Sequence, residues 1–325
     1  MVGLFYFCYF NFNVIVMTNS TKGILLAGIT AFMWGLLAIA LKVTLNYIDS
    51  YTIVWWRFAA SFAILLVYIL IRRPKELVIL RRPPALLLLA GLFLGLNFIG
   101  FQEGVHYAGP AISQVIIQLG AITLAFVGFI GFREPSSPLK ILGFILAAVG
   151  FFFFFFQQLN SVPAEAAHIK LGVIYLVAGA WTWTCYAILN KILVRKIPPI
   201  QINLILYAVP TLLYLPFVDF DALFQPHTLM IWLLLLFVAL NTLIAYGSLS
   251  AALKYTEANK ISIIVTLNPV ITFIIMESLL WFDVSWFDSP GMTPLTYMGA
   301  AMVLGGAILA VGAKSRGSHR PHGKI

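Results

Sequence analysis

The 325-residue chain is 62% apolar and only 10% charged, with a mean hydropathy of +0.99, which excludes an ordinary soluble globular domain. Its net charge of +9 sits in the short connections between apolar runs and at the carboxyl end, so the basicity reads as membrane topology rather than as a nucleic-acid surface. Cys8 and Cys185 imply neither a disulfide nor a metal site, and no zinc-protease helix, phosphate-binding Gly loop or nucleophile elbow is present, so neither an enzyme nor a cofactor is expected.

Residues 1–16 form an aromatic-rich, uncharged run with Asn11 and Asn13 inside it, short for a membrane span and without the basic flank of a signal peptide. Translation from Met17 is the preferred reading, with an interfacial segment as the alternative, and residues 1–22 are assigned as a cytoplasmic leader. A hydrocarbon core of roughly 30 Å takes about 20 helical residues to cross. Ten apolar runs approach that length. Five lie near Gly23–Thr44, Thr52–Ile71, Ala85–Tyr107, Ile112–Phe132 and Leu139–Phe156. Five more lie near Leu171–Leu193, Ile202–Val218, Leu229–Leu249, Ile261–Phe282 and Pro294–Val311, followed by a basic cytoplasmic tail over 313–325.

The two sets of five are copies. A shift of 149 residues places Gly23, Trp34 and Lys42 on Gly172, Trp183 and Lys191, Gly120 on Pro269 and Glu134 on Asp283. After a seven-residue insertion, Gly143 and Gly150 fall on Gly299 and Gly306. Because five is odd, the second copy enters the membrane from the opposite face. The expected fold is therefore an all-α integral membrane protein of ten transmembrane helices in two inverted five-helix repeats, 23–158 and 171–312. Charge orients it. With the amino end inside, seventeen Lys and Arg lie on the cytoplasmic side, whereas only Lys42 and Lys170 lie outside and Arg57 lies within the second span. Both termini are thus expected in the cytoplasm, with the cell (inner) membrane as the location. A contribution of the Arg72–Arg82 cluster to binding anionic membrane lipid is the lesser alternative.

The residues also resemble a known family. Met33-Trp34-Gly35, echoed by Trp181-Thr182-Trp183, is similar to the Trp-Gly turn that opens repeats of the EamA group in the drug/metabolite transporter superfamily. Trp56-Arg57-Phe58 resembles the start of that group's second helix. Pro269 and Asp283 keep its fourteen-residue Pro-to-acid step, although the first half has Gly120 in the Pro place before Glu134. Gly143, Gly150, Gly299 and Gly306 resemble its Gly-rich closing helices. The resemblance covers about residues 23–312 and implies movement of small organic metabolites or drugs, commonly outward, without naming a substrate.

Intramembrane polar residues are the candidates for a site, since lipid penalises them unless they face protein or water. Trp34 and Trp183 lie mid-membrane; Trp183, Tyr186 and Asn190 share one helical face; Gln114 and Gln118 stack four apart; Asn241 and Tyr246 lie on the eighth span. Together with Asn268 they form the expected substrate-binding set, the alternative being interhelical hydrogen-bond glue. Pro269 removes a donor and frees the Val265 carbonyl, so Gly120 and Pro269 are candidate hinges, with a packing kink as the alternative. Arg57, Glu103 and Glu277 are candidate coupling or gating charges, either pairing structurally or binding a coupled proton or a substrate ammonium. Lys42 and Lys191, near helix ends, are expected to snorkel. The expected function is a secondary transporter exporting amino acids, similar metabolites or drugs by alternating access. A passive channel or facilitator and a non-transporting scaffold or sensor are the rival classes, and the oligomeric state is left open.

Overall fold

Lipid offers no hydrogen-bond partners, so a chain this apolar must pair its backbone within helices. A computed structural model describes residues 18–134, 137–160, 167–280 and 293–312, and every regular element in them is helical. In chain order these are α1 Asn19–Thr44, α2 Ser50–Arg72, α3 Ala85–Ile116, α4 Gln118–Ile130, α5 Pro138–Asn160, α6 Ala167–Leu193 and α7 Pro199–Tyr214. There follow the short α8 Phe220–Phe224, then α9 Leu229–Tyr255, α10 Ala258–Val265, α11 Asn268–Leu280 and α12 Pro294–Gly312. Seven segments are long and apolar enough to cross a membrane, and the three remaining apolar helices, Gln118–Ile130, Pro138–Phe153 and Tyr297–Gly306, are shorter. Residues 1–17, the tail and Asp283 lie outside the described residues, whereas residues 19–22, expected in the leader, form the first turn of α1.

Helix starts follow local chemistry. Thr18 and Asp49 cap α1 and α2 by accepting the backbone N–H groups of Thr21 and Thr52, at 3.2 and 3.0 Å. Asp219 caps α8 in the same way and donates its own N–H to the Thr52 hydroxyl at 2.8 Å, which ties the α7–α9 connection to the start of α2.

Two boundaries differ from expectation. The third span does not end at Tyr107: the helix continues through Gly109 and Pro110 to Ile116, so the expected third and fourth spans share an element. The interruption falls instead at Ile117. In the second half α10 stops at Val265, and α11 begins at Asn268 after a turn at Thr266 and Leu267. Ile117 and Thr266 are 149 residues apart, so the two breaks are in repeat register. Pro269 sits one residue inside the start of α11, where its missing N–H and fixed φ suit the first helical turn.

Packing pairs elements from the two halves. α1 packs on α9 and α3 on α6; α2 packs on α9 and α3 on α7; α1 crosses α11 and α6 crosses α4. α2 with α7, α4 with α10, α5 with α12 and α1 with α10 add further contacts. The α5–α12 contact depends on small residues. A Cβ at Gly150 would stand 2.8 Å from the Gly299 carbonyl oxygen, and one at Gly306 would collide with the Gly143 carbonyl. The seven-residue Gly steps read in the sequence therefore face one another, letting two backbones touch.

One end of the bundle is fastened by charge. Glu134, just after α4, accepts the N–H groups of Ala258 and Asn259 at 2.7 and 2.9 Å, capping α10. Lys191, at the end of α6, donates to the Leu253 and Thr256 carbonyls at the end of α9 and lies 3.5 Å from Glu134. One anion thus holds a helix start and one cation a helix end, the polarity that the helix dipoles favour. Lys140 pairs with Glu257 in the same turn, with Lys260 3.6 Å from that carboxylate. Lys191 is buried and does not snorkel, because α9 presents unpaired terminal carbonyls to it.

Replacing Gly306 by Leu should lower the thermal midpoint of the detergent-solubilised protein, with an overpacking cost of about 1–3 kcal/mol. Gly28→Ala, at a position with nothing within 4 Å, should leave the midpoint unchanged. Glu134→Gln should cost on the order of 3 kcal/mol in the same assay by leaving Lys191 buried without its anion. The double variant Glu134→Gln/Lys191→Met should recover part of that loss.

Candidate functional site

Between the halves lies an open cavity bordered by residues of both. α1 contributes Trp34, α2 contributes Arg57, and α3 contributes Asn97 and Phe98. From the second half come Trp183 and Tyr246, while Ile117, Gln118, Val265 and Asn268 border the two backbone breaks.

The repeat-related tryptophans meet here. Trp34 and Trp183 pack edge to face with centroids 6.0 Å apart, and Trp34 also lies 5.4 Å from Tyr246. Tyr246 packs on Phe98 at 5.3 Å, and Phe98 on Phe58 at 4.3 Å, so one wall is a continuous aromatic sheet. Also on the wall, the Gln118 side-chain amide donates to Asn268 Oδ1 at 3.1 Å, joining the first residues of α4 and α11. Val265, whose carbonyl would pair in an unbroken helix with the N–H that Pro269 lacks, also borders the space. Both backbone breaks are therefore bordered by a cavity.

Six of the expected site residues converge: Trp34, Arg57, Gln118, Trp183, Tyr246 and Asn268. Three others are held elsewhere. Asn190 donates to the Tyr186 hydroxyl and to Ser250, which in turn donates to Asn203, so Tyr186 and Asn190 belong to a buried network joining α6, α7 and α9. Tyr186 reaches the wall only through its ring, 5.8 Å from Tyr246. Asn241 donates to the Met33 carbonyl and fastens α9 to α1. Gly120 marks the close crossing of α4 and α6: its carbonyl accepts from Thr184 at 3.1 Å, and a Cβ there would stand 2.9 Å from the Ala180 oxygen. At the related crossing of α1 and α11, Thr272 donates to the Gly35 carbonyl at 2.8 Å.

Arg57 donates from Nε to Thr242 at 3.0 Å and lies over Phe98, with Cζ 4.4 Å from the ring centroid. It forms no ion pair with Glu103, which is half-buried further along α3. The side chains of Gln114 and Glu277 lie outside the described residues. Sequence reasoning passed over Asn97 and Phe98 in the cavity wall. Asn97 is the repeat partner of Tyr246, so the 149-residue shift applied to each candidate was a signal able to find it. No group of three or more His, Cys, Asp or Glu able to hold a metal occurs among the described residues.

The EamA-like transporter family model matches residues 21–156 and again residues 170–312. The chain belongs to that family. An uncharacterized transporter of Haemophilus influenzae is 32% identical over 294 residues, covering 90% of this chain and 95% of the relative. The uncharacterized inner membrane transporter YhbE of Escherichia coli K12 is 34% identical over 308 residues, 92% of this chain and 94% of its own. A more distant relative, named a probable amino-acid metabolite efflux pump in Salmonella typhimurium, is 24% identical over 90% of this chain and 95% of that protein. A crystal structure superposes with a TM-score of 0.71 over 89% of this chain and 96% of its own at 16% identity, which shows the fold alone. Family and relatives alike place the chain among transporters rather than enzymes.

On a background lacking Cys8 and Cys185, Ala121→Cys, on the cavity wall, should react with a small water-soluble thiol reagent. Ala187→Cys, fully buried beside Tyr186, should stay unlabelled in the folded protein. Mass spectrometry of the labelled protein reads both.

Proposed function

We propose that this EamA-like protein is a secondary transporter that exports small organic solutes, amino acids or compounds like them, by alternating access through the central cavity. The reading includes ten spans in two inverted repeats, both termini in the cytoplasm, and an inner-membrane location like that named for YhbE. Support comes first from the cavity itself. Trp34 and Trp183, equivalent in the two copies, meet on its wall, and both repeat-related backbone breaks border it. A site at the meeting of two halves is what rocking one half against the other exposes to each side in turn.

Gly23 packs against Thr256, just after α9, and its repeat partner Gly172 packs against Ala108 in α3, so the two copies make equivalent contacts, which supports the repeat reading. On the orientation given by the Lys and Arg bias, the Glu134–Lys191 fastening lies on the cytoplasmic side. On the same orientation the cavity, bordered by Leu37, Arg57 and Phe101, is set towards the outer half. That arrangement suits a state closed to the cytoplasm, with a coupled proton as the expected driving ion.

Reconstituted protein should show saturable counterflow of at least one labelled neutral or zwitterionic solute. Trp34→Ala and Trp183→Ala should each lower the rate about tenfold or more, equivalent to ~1.4 kcal/mol, at unchanged incorporation. Sensitivity to collapse of a proton gradient would separate a coupled carrier from a facilitator. Absence of saturable flux for every solute class would sink the transporter reading.

A further inference from the structure

Arg57 is 2% exposed yet borders the cavity. Taking a guanidinium out of water costs several kcal/mol unless an anion compensates it. Here the compensation is incomplete. Nε is used by Thr242 and one face rests on Phe98, whereas the remaining N–H donors of the guanidinium fork have no carboxylate of the described residues within 4 Å. Arg57 is also the only charged side chain among the described residues that border the cavity.

The scaffold does not demand a cation at this place. The repeat-equivalent residue is Leu206, fully buried, so the same position in the other copy is filled by hydrocarbon. A charge retained on one side of a duplicated fold, at a cavity wall and without a carboxylate partner among the described residues, points to a partner that comes and goes.

We propose that Arg57 is the subsite for a carboxylate on the transported solute. This rests on the transporter reading above and names the substrate class. The fork of Arg N–H donors matches the two oxygens of a carboxylate. A single cation selects a single negative charge, since a dianion would leave an excess charge in a space otherwise lined by rings and amides. Trp34, Trp183, Tyr246 and Phe98 then receive the rest of the molecule, either an apolar group or an ammonium held over a ring face. Monocarboxylates and zwitterionic amino acids satisfy this wall; amines and neutral amides leave Arg57 unpaired.

The test is binding of four probes of common shape to the purified full-length protein: 3-phenylpropanoate, phenylalanine, phenylalaninamide and phenethylamine. The two acids should bind at least about tenfold more tightly than the amide and the amine. Arg57→Gln should abolish that preference, Arg57→Lys should keep part of it, and Trp34→Ala should weaken the acids without altering their lead. Arg57→Leu, which installs the side chain that Leu206 supplies in the other copy, controls for folding through its thermal midpoint. Equal binding of all four probes, no binding of any, or acid binding unchanged in a folded Arg57→Gln protein overturns the proposal. Flux of an uncharged or cationic solute that is indifferent to Arg57 substitution overturns it too, while leaving the transporter reading intact; loss of all flux in the wild type removes both.

Discussion

Every feature of this molecule answers to one constraint: hydrocarbon cannot accept or donate a hydrogen bond. A backbone group left bare in lipid costs several kcal/mol, so the chain spends nearly all of its length in helices that satisfy themselves. Exceptions to that rule are confined to places where protein or an internal space takes over from lipid. Ile117 and Thr266–Leu267 interrupt two helices at equivalent points of the two copies, and both interruptions border the cavity. The same constraint shapes several buried side chains. Asn190, Ser250 and Asn203 close on one another, and Asn241 closes on a backbone carbonyl.

Close helix approach is the second consequence. Apolar side chains gain little by leaving lipid for one another, so contact between backbones carries much of the packing. Gly150 and Gly306 bring α5 against α12, while Thr184 on Gly120 and Thr272 on Gly35 pin the two related crossings. Those crossings flank the cavity from both halves. A threonine and a glycine serve in each, but on exchanged partners: the glycine lies in α4 at one crossing and in α1 at the other. Duplication thus preserved the joint while letting its residues change sides.

The cavity wall is asymmetric. Trp34 faces its own copy Trp183, but Asn97 corresponds to Tyr246, Gln118 to Leu267 and Arg57 to Leu206. A transporter that must hold one solute in one orientation gains by such differences, because a symmetric wall offers two equivalent poses. The buried cation gives the proposed site its polarity, and the aromatic sheet gives it shape.

Much of this was legible in the chain. Apolar runs of bilayer length, the 149-residue register and the family-like motifs determined an all-helical, duplicated membrane protein of a transporter family, because span length and hydrophobicity are local properties. Six cavity residues were named from depth, helical spacing, a proline break or an intramembrane charge, since a polar or large aromatic group within a span has few other places to go. What periodicity did not tell was which face of a span points inward, for these helices are apolar almost all round. Tyr186 and Asn190 share a face with Trp183, yet only Trp183 borders the cavity. Glu134 and Lys191 looked like a repeat marker and a snorkelling lysine until α10 and α9 brought their free helix ends between them. Those contacts join residues more than sixty positions apart, and only the packing of separate helices decides them.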